Sequence, residues 1–169
     1  MSLAEADNFL RLVHKAIWSA LEASGDFTNL VPANNRIKHV VTNHYPDIRN
    51  VPTKAHTPFV RVVEHSLTPM LQTSSDSSEC TARYEIEVKT GDQSGIMFLD
   101  LASVILRAWS KWETYLKTQT WKSKTFVHNA QPRQVVFTFD EKSNRGMLGW
   151  ATVWSFDVLM HFTTSDLQA

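Results

Sequence analysis

The segment that most constrains the fold is a long apolar run near the C-terminus, residues 149–162. Bulky side chains alternate along it, and a period of two is typical of a β-strand. Both faces of this strand are apolar: Trp150, Trp154, Phe156, Val158, Met160 and Phe162 lie on one, Val153 and Leu159 on the other. Such a strand requires cover on both faces. A single domain with two helices offers limited cover, so the pattern favours a chain that associates with other copies.

Two earlier segments predict an antiparallel hairpin. Residues 79–90 alternate between an apolar face and a charged face that carries Arg83, Glu85, Glu87 and Lys89, which predicts a strand with one wet face. Residues 58–67 form an apolar strand that pairs with it. The serine- and threonine-rich residues 68–78 would form the loop or tip between them. Shorter strands are predicted at residues 36–41, 124–129 and 134–139, with a polar turn at 141–146.

Two segments have helical periodicity. In residues 3–24, apolar side chains recur every three or four positions, and Gly25 is a plausible C′ residue that ends the helix. A second helix is predicted from about Gly95 to Leu116, with Asp92 or Ser94 as N-cap. Its apolar face is unusually wide, which indicates burial on more than one side; its members are Leu99, Leu101, Ala102, Val104, Ile105, Leu106, Ala108, Trp109 and Trp112. Residues 163–169 are expected to be a frayed tail.

The order of these elements predicts the fold class. Helix, strands, helix and strands follow one another over 169 residues, without an internal repeat or a domain linker. We expect an α+β fold, a single domain over residues 1–169. Its antiparallel or mixed β-sheet would carry two main helices packed on one face and a long β-hairpin.

Composition excludes several function classes. Lysine plus arginine equals aspartate plus glutamate, at 17 each, so no long-range attraction for DNA or for an anionic membrane is built in. The single cysteine, Cys80, cannot form an internal disulfide. The N-terminus lacks the features of a secretory signal, and a reducing cytoplasm is the expected place of folding. Five glycines in all argue against phosphate-cradling loops, and no cofactor is expected.

The titratable residues do not form a recognisable catalytic or metal motif. No two of the seven histidines stand at i,i+4, and His39 with His44 is a weak candidate for a zinc pair at best. Glu64 and His65 precede a strand with Glu85 and Glu87, a pattern that permits acid–base chemistry but favours cross-strand charge pairing. Cys80 has no activating neighbour except Arg83 and is expected to be packed. We therefore expect no enzyme, no catalytic residue and no metal site.

Aromatic and basic residues are interleaved in the last turns of the second helix and just after it. Trp109, Trp112, Tyr115 and Trp121 alternate with Lys111, Lys117, Lys122 and Lys124. Such interleaving is found in proteins that bind single-stranded nucleic acid. Aromatic residues at helical spacing mainly report burial, however, and lysines near a helix C-terminus complement its dipole. A core-facing stripe is the favoured interpretation.

The order and spacing of these segments resemble the tail-terminator, or tail-completion, family of tailed bacteriophages. The resemblance rests on the N-terminal helix 9–21, Phe27-Thr28-Asn29-Leu30-Val31, and the strand Pro58-Phe59-Val60-Arg61-Val62-Val63. It continues through Tyr84-Glu85-Ile86-Glu87-Val88-Lys89-Thr90, the helix 98–109 and the final strand pair 134–139 and 150–162. It implies a structural virion protein, located in the tail or neck and assembled in the host cytoplasm.

The same resemblance implies the partners. Copies of the chain would form a hexameric ring that stops tail-tube growth and joins the tail to the neck. The ring would contact the tail tube protein and the neck (head-completion or stopper) protein, and the sheath protein is a further candidate. Genomic DNA would pass through the lumen without specific binding, and no membrane is involved. The chain is longer than short members of the family in two segments, residues 44–57 and 117–131. Both are candidate contact segments.

Candidate interface residues come from the loops. Met70 and Leu71 are apolar residues in the otherwise polar segment 68–78, and Met147 and Leu148 stand similarly at a turn. Exposed apolar residues at loop tips often mark contacts, although both pairs could equally fold back onto their own domain. Two alternatives stay open: another neck, head–tail connector or baseplate component, and a small α+β ligand-binding domain or enzyme with an apolar pocket.

Overall fold

The computed structural model describes residues 8–41, 58–91, 95–140 and 149–168, which form an α+β fold around a mixed sheet. The helices are α1 (Phe9–Glu22), α2 (Gly25–Leu30), a 3-10 turn (Ala33–Asn35), α3 (Ile96–Lys117) and α4 (Thr164–Gln168). The strands are β1 (Arg36–Val41), β2 (Phe59–Leu67), β3 (Leu71–Ser74), β4 (Ser77–Lys89), β5 (Thr120–Trp121), β6 (Lys124–Thr125), β7 (Val127–Asp140) and β8 (Gly149–Thr163).

The main sheet has the order β1-β2-β4-β8-β7, and β3 also pairs with β4. Strands β1 and β2 are parallel, and the other pairs of the main sheet are antiparallel. The longest pairing runs without a bulge from Ser77 opposite Thr163 to Lys89 opposite Ala151. Strand β8 thus lies between β4 and β7. Since both are antiparallel to β8, β4 and β7 are parallel to each other, and α3 belongs to the crossover that connects them. The predicted fold class, a mixed sheet in an α+β chain, is confirmed.

Helices α1 and α3 pack on the same face of the sheet, as expected. The Asn8 side chain caps α1 by accepting hydrogen bonds from the backbone amides of Leu10 (3.1 Å) and Arg11 (3.2 Å). The strands present one buried side chain at every second position to these helices. At the centre, the Phe156 ring lies 5.8 Å from Trp112 and 5.9 Å from Tyr84. One contiguous cluster of buried apolar side chains therefore joins sheet and helices.

An aromatic cluster closes one end of this core. The Phe9 ring lies 4.8 Å from Phe162 and 5.6 Å from Trp121, and Phe126 stacks on Phe162 at 5.9 Å. These rings come from α1, the β5–β6 hairpin, the link to β7 and the end of β8. Each ring contributes a large buried area, so segments far apart in the chain are held together here.

Several predicted boundaries were wrong. Gly25 does not terminate α1 as a C′ residue; it begins α2, whose N-cap is Ser24, with Ser24 Oγ accepting from the Phe27 amide at 3.4 Å. The redirected chain buries Phe27 completely. Residues 68–78 are not only a loop, because β3 pairs with β4. Residues 164–168 form α4 rather than a frayed tail, since Asp166 anchors them to Lys124 at 3.0 Å.

Other boundaries shift by a few residues. The predicted strands at 124–129 and 134–139 correspond to β6 and a much longer β7. The N-cap of α3 is Gly95, with φ of 73° and no side-chain cap, so the predicted cap by Asp92 or Ser94 was wrong. The turn at 141–146, nearly all of helix residues 3–8 and segment 44–57 lie outside the described residues. The charged face of β4 is less wet than expected, because Arg61 and Glu85 on that side are buried.

Candidate interaction surface

The exposed large apolar side chains of the described residues fall mainly into two patches. The first, which we call the helix stripe, lies on α3 and consists of Ile96 (65% exposed), Leu99 (62%) and Leu106 (61%). The second, the hairpin patch, lies where β2 passes into β3 and consists of Leu67 (50%), Met70 (38%) and Leu71 (63%). Tyr115 and Val136 are exposed outside these patches. Clusters of exposed apolar residues are characteristic of contact sites.

The helix stripe results from the phase of α3. At about 100° per residue, Leu101, Ile105 and Trp112 point into the core and are fully buried. Ile96, Leu99 and Leu106 fall on the other side of the helix, together with exposed Ser103. The wide apolar face predicted for this helix is therefore two faces, of which one packs on the sheet and the other is exposed. The expected second side of burial is not provided by the described part of this chain.

The hairpin patch is held in place by hydrogen bonds to β4. Thr68 donates its amide to the Thr81 carbonyl at 2.9 Å, and the Thr81 amide donates to Thr68 Oγ1 at 2.7 Å. Leu71 then pairs with Glu79 at the start of β3. All four β3 residues are exposed. Met70 and Leu71, the residues suggested by the sequence, are thus exposed at the start of the β3–β4 hairpin, whereas Met147 and Leu148 lie outside the described residues.

The two patches lie toward opposite ends of the sheet. The hairpin patch is next to the beginning of β4, where Leu71 pairs with Glu79. The helix stripe begins at Ile96, shortly after β4 ends at Lys89. Since β4 has 13 residues, its ends are about 40 Å apart. Leu106 lies back along the helix, about 15 Å from Ile96, so the stripe approaches the hairpin only in part.

The charged side chains differ between the patches. Between Ser66 and Ala82 the chain contains Asp76 and Glu79 but no lysine or arginine. Next to the helix stripe, α3 carries Asp100, Arg107 and Lys111, all exposed. Arg107 forms an ion pair with Asp26 of α2 at 3.2 Å. The hairpin is therefore acidic, and the neighbourhood of the stripe is mixed with a basic end.

Charged residues on the other face of the sheet form cross-strand pairs. Arg61 of β2 pairs with Glu87 of β4. Asp157 of β8 pairs with Arg83 of β4 at 3.0 Å and also with Arg133 of β7. This confirms cross-strand pairing as the role of the charged face. The pairs connect four adjacent strands and so contribute to holding the sheet together across this face.

The acid–base hypothesis for Glu64, His65, Glu85 and Glu87 is not supported by the arrangement. Glu64 stands opposite Tyr84, on the face that carries the helices. Glu85 and Glu87 point to the other face, where Ser155 donates to Glu85 at 3.3 Å and Arg61 pairs with Glu87. Neighbouring residues of a strand point to opposite faces, so these carboxylates are separated by the sheet.

Glu64 instead lines a small cavity of about 260 Å³ with Leu10, Ser66, Leu67, Arg83 and Tyr84. Burial raises the pKa of its carboxyl above the ordinary value. Burial, followed by the charges of Glu64 and Cys80, raises the pKa of the Tyr84 phenol. Burial also raises the pKa of the Cys80 thiol to about 11. A thiol in this state is a poor nucleophile, so Cys80 is a packed side chain, as expected.

A cleft of about 390 Å³ lies between the end of α1 and α3. It is lined by Ala20, Ala23, Ser24, Gly25, Asp26, Val104, Arg107, Ala108 and Lys111. The lining offers small side chains and charges at the rim; its hydroxyl, Ser24 Oγ, caps α2 by accepting from the Phe27 amide, and Asp26 pairs with Arg107. Among the described residues, no group of three histidine, cysteine, aspartate or glutamate side chains is placed to hold a metal ion.

The interleaved aromatic and basic residues do not form a stacking platform in the part that the structure describes. Trp112 and Trp121 are buried. Lys122 lies 4.7 Å from the Trp121 ring centroid, and Lys124 pairs with Asp166. The core-facing interpretation is confirmed for these two tryptophans. None of the described helices is long and apolar enough to cross a membrane.

Comparisons with known proteins find similar solved structures but no match in sequence. No family model matches the sequence, and no curated protein is similar to it. A chain from the virion of a native gene transfer agent particle is similar in structure, with a TM-score of 0.49 and 12% identity over 88% of this chain and 94% of that one. The gp17 protein of bacteriophage SPP1 gives 0.44 and 19%, over 91% of each chain. Scores and identities this low do not establish a shared fold or function.

Proposed function

We propose that this chain is a structural protein of a tailed-phage virion, a tail terminator that forms a hexameric ring. The ring would cap the tail tube and join it to the neck. The observation that carries the proposal is the pair of separate apolar patches, the helix stripe and the hairpin patch. The sequence resemblance to the tail-terminator family supplies the identity of the assembly. The patches supply the physical means by which copies would associate.

The energetics agree with reversible association. Burying a leucine or isoleucine side chain contributes roughly 1.5–3 kcal/mol when it starts fully exposed. These six side chains are 38–65% exposed, so each contributes a fraction of that amount. Association costs about 4–15 kcal/mol in lost rigid-body freedom and ordering. The contact is therefore adequate for assembly when a tube end or neighbouring subunits hold the copies together.

The proposed mechanism is steric and interfacial. A closed ring on the last tube layer would cover the surface on which the next tube subunit adds, and tube growth would stop. The opposite face of the ring would bind the neck (head-completion) protein, and the sheath protein is a further candidate partner. Because the formal net charge is zero, DNA would pass through the lumen without specific binding. Met147 and Leu148 remain proposed contacts with one of these partners.

The first test is the mass of the purified chain by light scattering after size exclusion, over a wide range of concentrations. The measurement is repeated with the tail tube protein of the same phage. We expect a hexamer, either alone or on tube ends, and rings by negative-stain microscopy. A chain that stays monomeric at every concentration and leaves tubes uncapped would contradict the proposal.

The cleft between α1 and α3 favours one second candidate, a small ligand-binding domain. Its volume, about 390 Å³, is within the range of small-molecule sites. This candidate predicts a monomer whose melting temperature rises with a specific small molecule. A screen by differential scanning fluorimetry would detect it, and a ring-forming chain without any such shift would reject it.

A further inference from the structure

The helix stripe and the hairpin patch differ in shape and charge. The hairpin patch lies on an extended, exposed segment, and the turn of the β3–β4 hairpin at Ser75 and Asp76 is hydrogen-bonded to Thr164. The helix stripe lies on the outer surface of α3, and the cleft lined by Val104, Arg107 and Lys111 runs beside it. The two patches therefore present different shapes, an extended segment and a helix beside a depression.

We propose that the two patches bind each other between adjacent copies, so that the hairpin patch of one copy packs on the helix stripe of the next. The inference rests on the proposed ring and specifies which surfaces build it. A two-fold dimer would either place each patch against its own counterpart or pair both patches of one copy reciprocally with those of the other, and in both cases assembly would stop at two copies. In a head-to-tail contact, each copy uses one patch for each neighbour, and a closed ring covers both patches in every copy.

Charge supports this pairing over self-pairing. Two hairpins placed together would bring Asp76 and Glu79 of one copy against the same residues of the other. The exposed Lys111, beyond the end of the helix stripe, would instead oppose the acidic hairpin, whereas Arg107 is already paired with Asp26. Asp100 lies at the other end of the stripe and weakens the complementarity there. Opposite charges at an interface favour the correct partner and orientation.

The separation of the patches also agrees with a ring. They lie toward opposite ends of a sheet about 40 Å long, on one body held together by a contiguous core. Because the patches lie at opposite ends, a copy that has bound one neighbour through one patch still has its other patch accessible to the next neighbour. Continued head-to-tail addition then closes into a ring or extends as a filament, depending on the rotation between copies.

A complementation experiment tests the pairing on the full chain. Leu71→Glu places a carboxylate in the hairpin patch, and Leu99→Glu places one in the helix stripe. Both positions are exposed, so folding should be unaffected, which circular dichroism and thermal melting would verify. The matched controls are Gln72→Glu, the neighbouring exposed residue of β3, and Thr114→Glu, an exposed residue on the same side of α3 but about two turns beyond Leu106. Self-association is measured by analytical ultracentrifugation.

We expect each patch variant to lose ring formation, with self-association weakened at least about tenfold, while both controls assemble. The decisive sample is an equimolar mixture of the two patch variants. The intact hairpin of Leu99→Glu can bind the intact stripe of Leu71→Glu, so at concentrations where the unsubstituted chain assembles the mixture should form a 1:1 heterodimer and stop there. Two-fold contacts between like patches predict homodimers of one variant and no heterodimer, and a reciprocal two-fold contact predicts that the unsubstituted chain itself stops at a dimer.

Each other result has a definite meaning. Normal assembly of either patch variant, or failure of the controls, would reject these patches as the specific contact. Loss of assembly in both variants without a heterodimer would show that the patches bind something other than each other. An unsubstituted chain that forms no ring, alone or with tube protein, would reject the proposed function itself and this contact with it.

Discussion

The inner and outer faces of α3 are both apolar, but their surroundings differ completely. Leu101, Ile105 and Trp112 on the inner face are fully buried against the sheet. Ile96, Leu99 and Leu106 on the outer face are more than half exposed. The inner face therefore contributes to the free energy of folding, and the outer face has its apolar area still available for association. Hydrophobic character alone does not separate these two roles.

Truncation on each face should give the largest contrast. Trp112→Ala removes a fully buried ring that lies 5.8 Å from Phe156, and we expect it to lower the free energy of unfolding by about 3–5 kcal/mol. Leu99→Ala, on the exposed side, should change it by less than about 0.5 kcal/mol. Urea denaturation followed by tryptophan fluorescence and circular dichroism would measure both. Similar losses for the two variants would contradict the assignment of the faces.

Ion pairs allow the same comparison between a buried and an exposed site. Arg61→Met leaves Glu87 without this partner in a site where both side chains are largely buried, and we expect a loss of about 2–3 kcal/mol. Arg107→Met breaks the exposed pair with Asp26, for which we expect at most about 0.5 kcal/mol. Denaturation at low and high salt would check this, since salt should reduce only the effect at Arg107. Equal effects would refute the difference in burial.

The Glu64 side chain is neither fully buried nor fully exposed, and its contribution to the free energy of unfolding should depend on pH. Burial raises its pKa in the folded state above the ordinary value of 4.5, so the folded chain binds the proton more tightly than the unfolded chain. The favourable contribution is fully present below the unfolded pKa and is lost as pH rises through the folded pKa. Glu64→Gln should therefore be more stable than the unsubstituted chain at pH 7, and the difference should shrink toward pH 4. A difference that is constant with pH would contradict it.

The smallest expected effect concerns the backbone rather than a face. Lys122 and Ser123, in the turn between β5 and β6, have positive φ values of 49° and 62°. Residues other than glycine disfavour this backbone conformation. Ser123→Gly should stabilise the chain by about 0.5–1 kcal/mol, and Ser123→Ala should not. Thermal melting of the two variants makes the comparison. A gain with alanine would show that strain at this turn is not the cause.

Most elements could be predicted because their periodicity is local. The alternation in β4 and β8 and the helical spacing in α1 and α3 come from side chains that are close in the chain, and these four elements were found within a few residues. The α4 helix could not be predicted in this way. It depends on Lys124, about forty residues earlier in the chain, which bonds Asp166. Gly25 was misassigned because the Ser24 cap competes with a local glycine signal.

The candidate surface was predictable only in part. Met70 and Leu71 were visible as apolar residues among polar ones, and the structure places both on an exposed hairpin. Leu99 and Leu106 were assigned to the broad apolar face of the helix together with Ile105 and Trp112. A helical period identifies an apolar arc, but it does not locate the sheet relative to that arc. The helix stripe was therefore missed as a surface, although the unusual width of the face was a valid signal for it.

By itself the sequence determined the type and approximate extent of the main strands and helices, the mixed α+β class and the charged ladder of β4, because these follow from side-chain alternation within each element. Only the tertiary structure decided which apolar residues of α3 stay exposed, which carboxylates share a face, and how α1, the β5–β6 hairpin and β8 meet around Phe9 and Phe162. Those outcomes depend on where the sheet stands relative to each helix, and burial is a property of that arrangement rather than of any single segment.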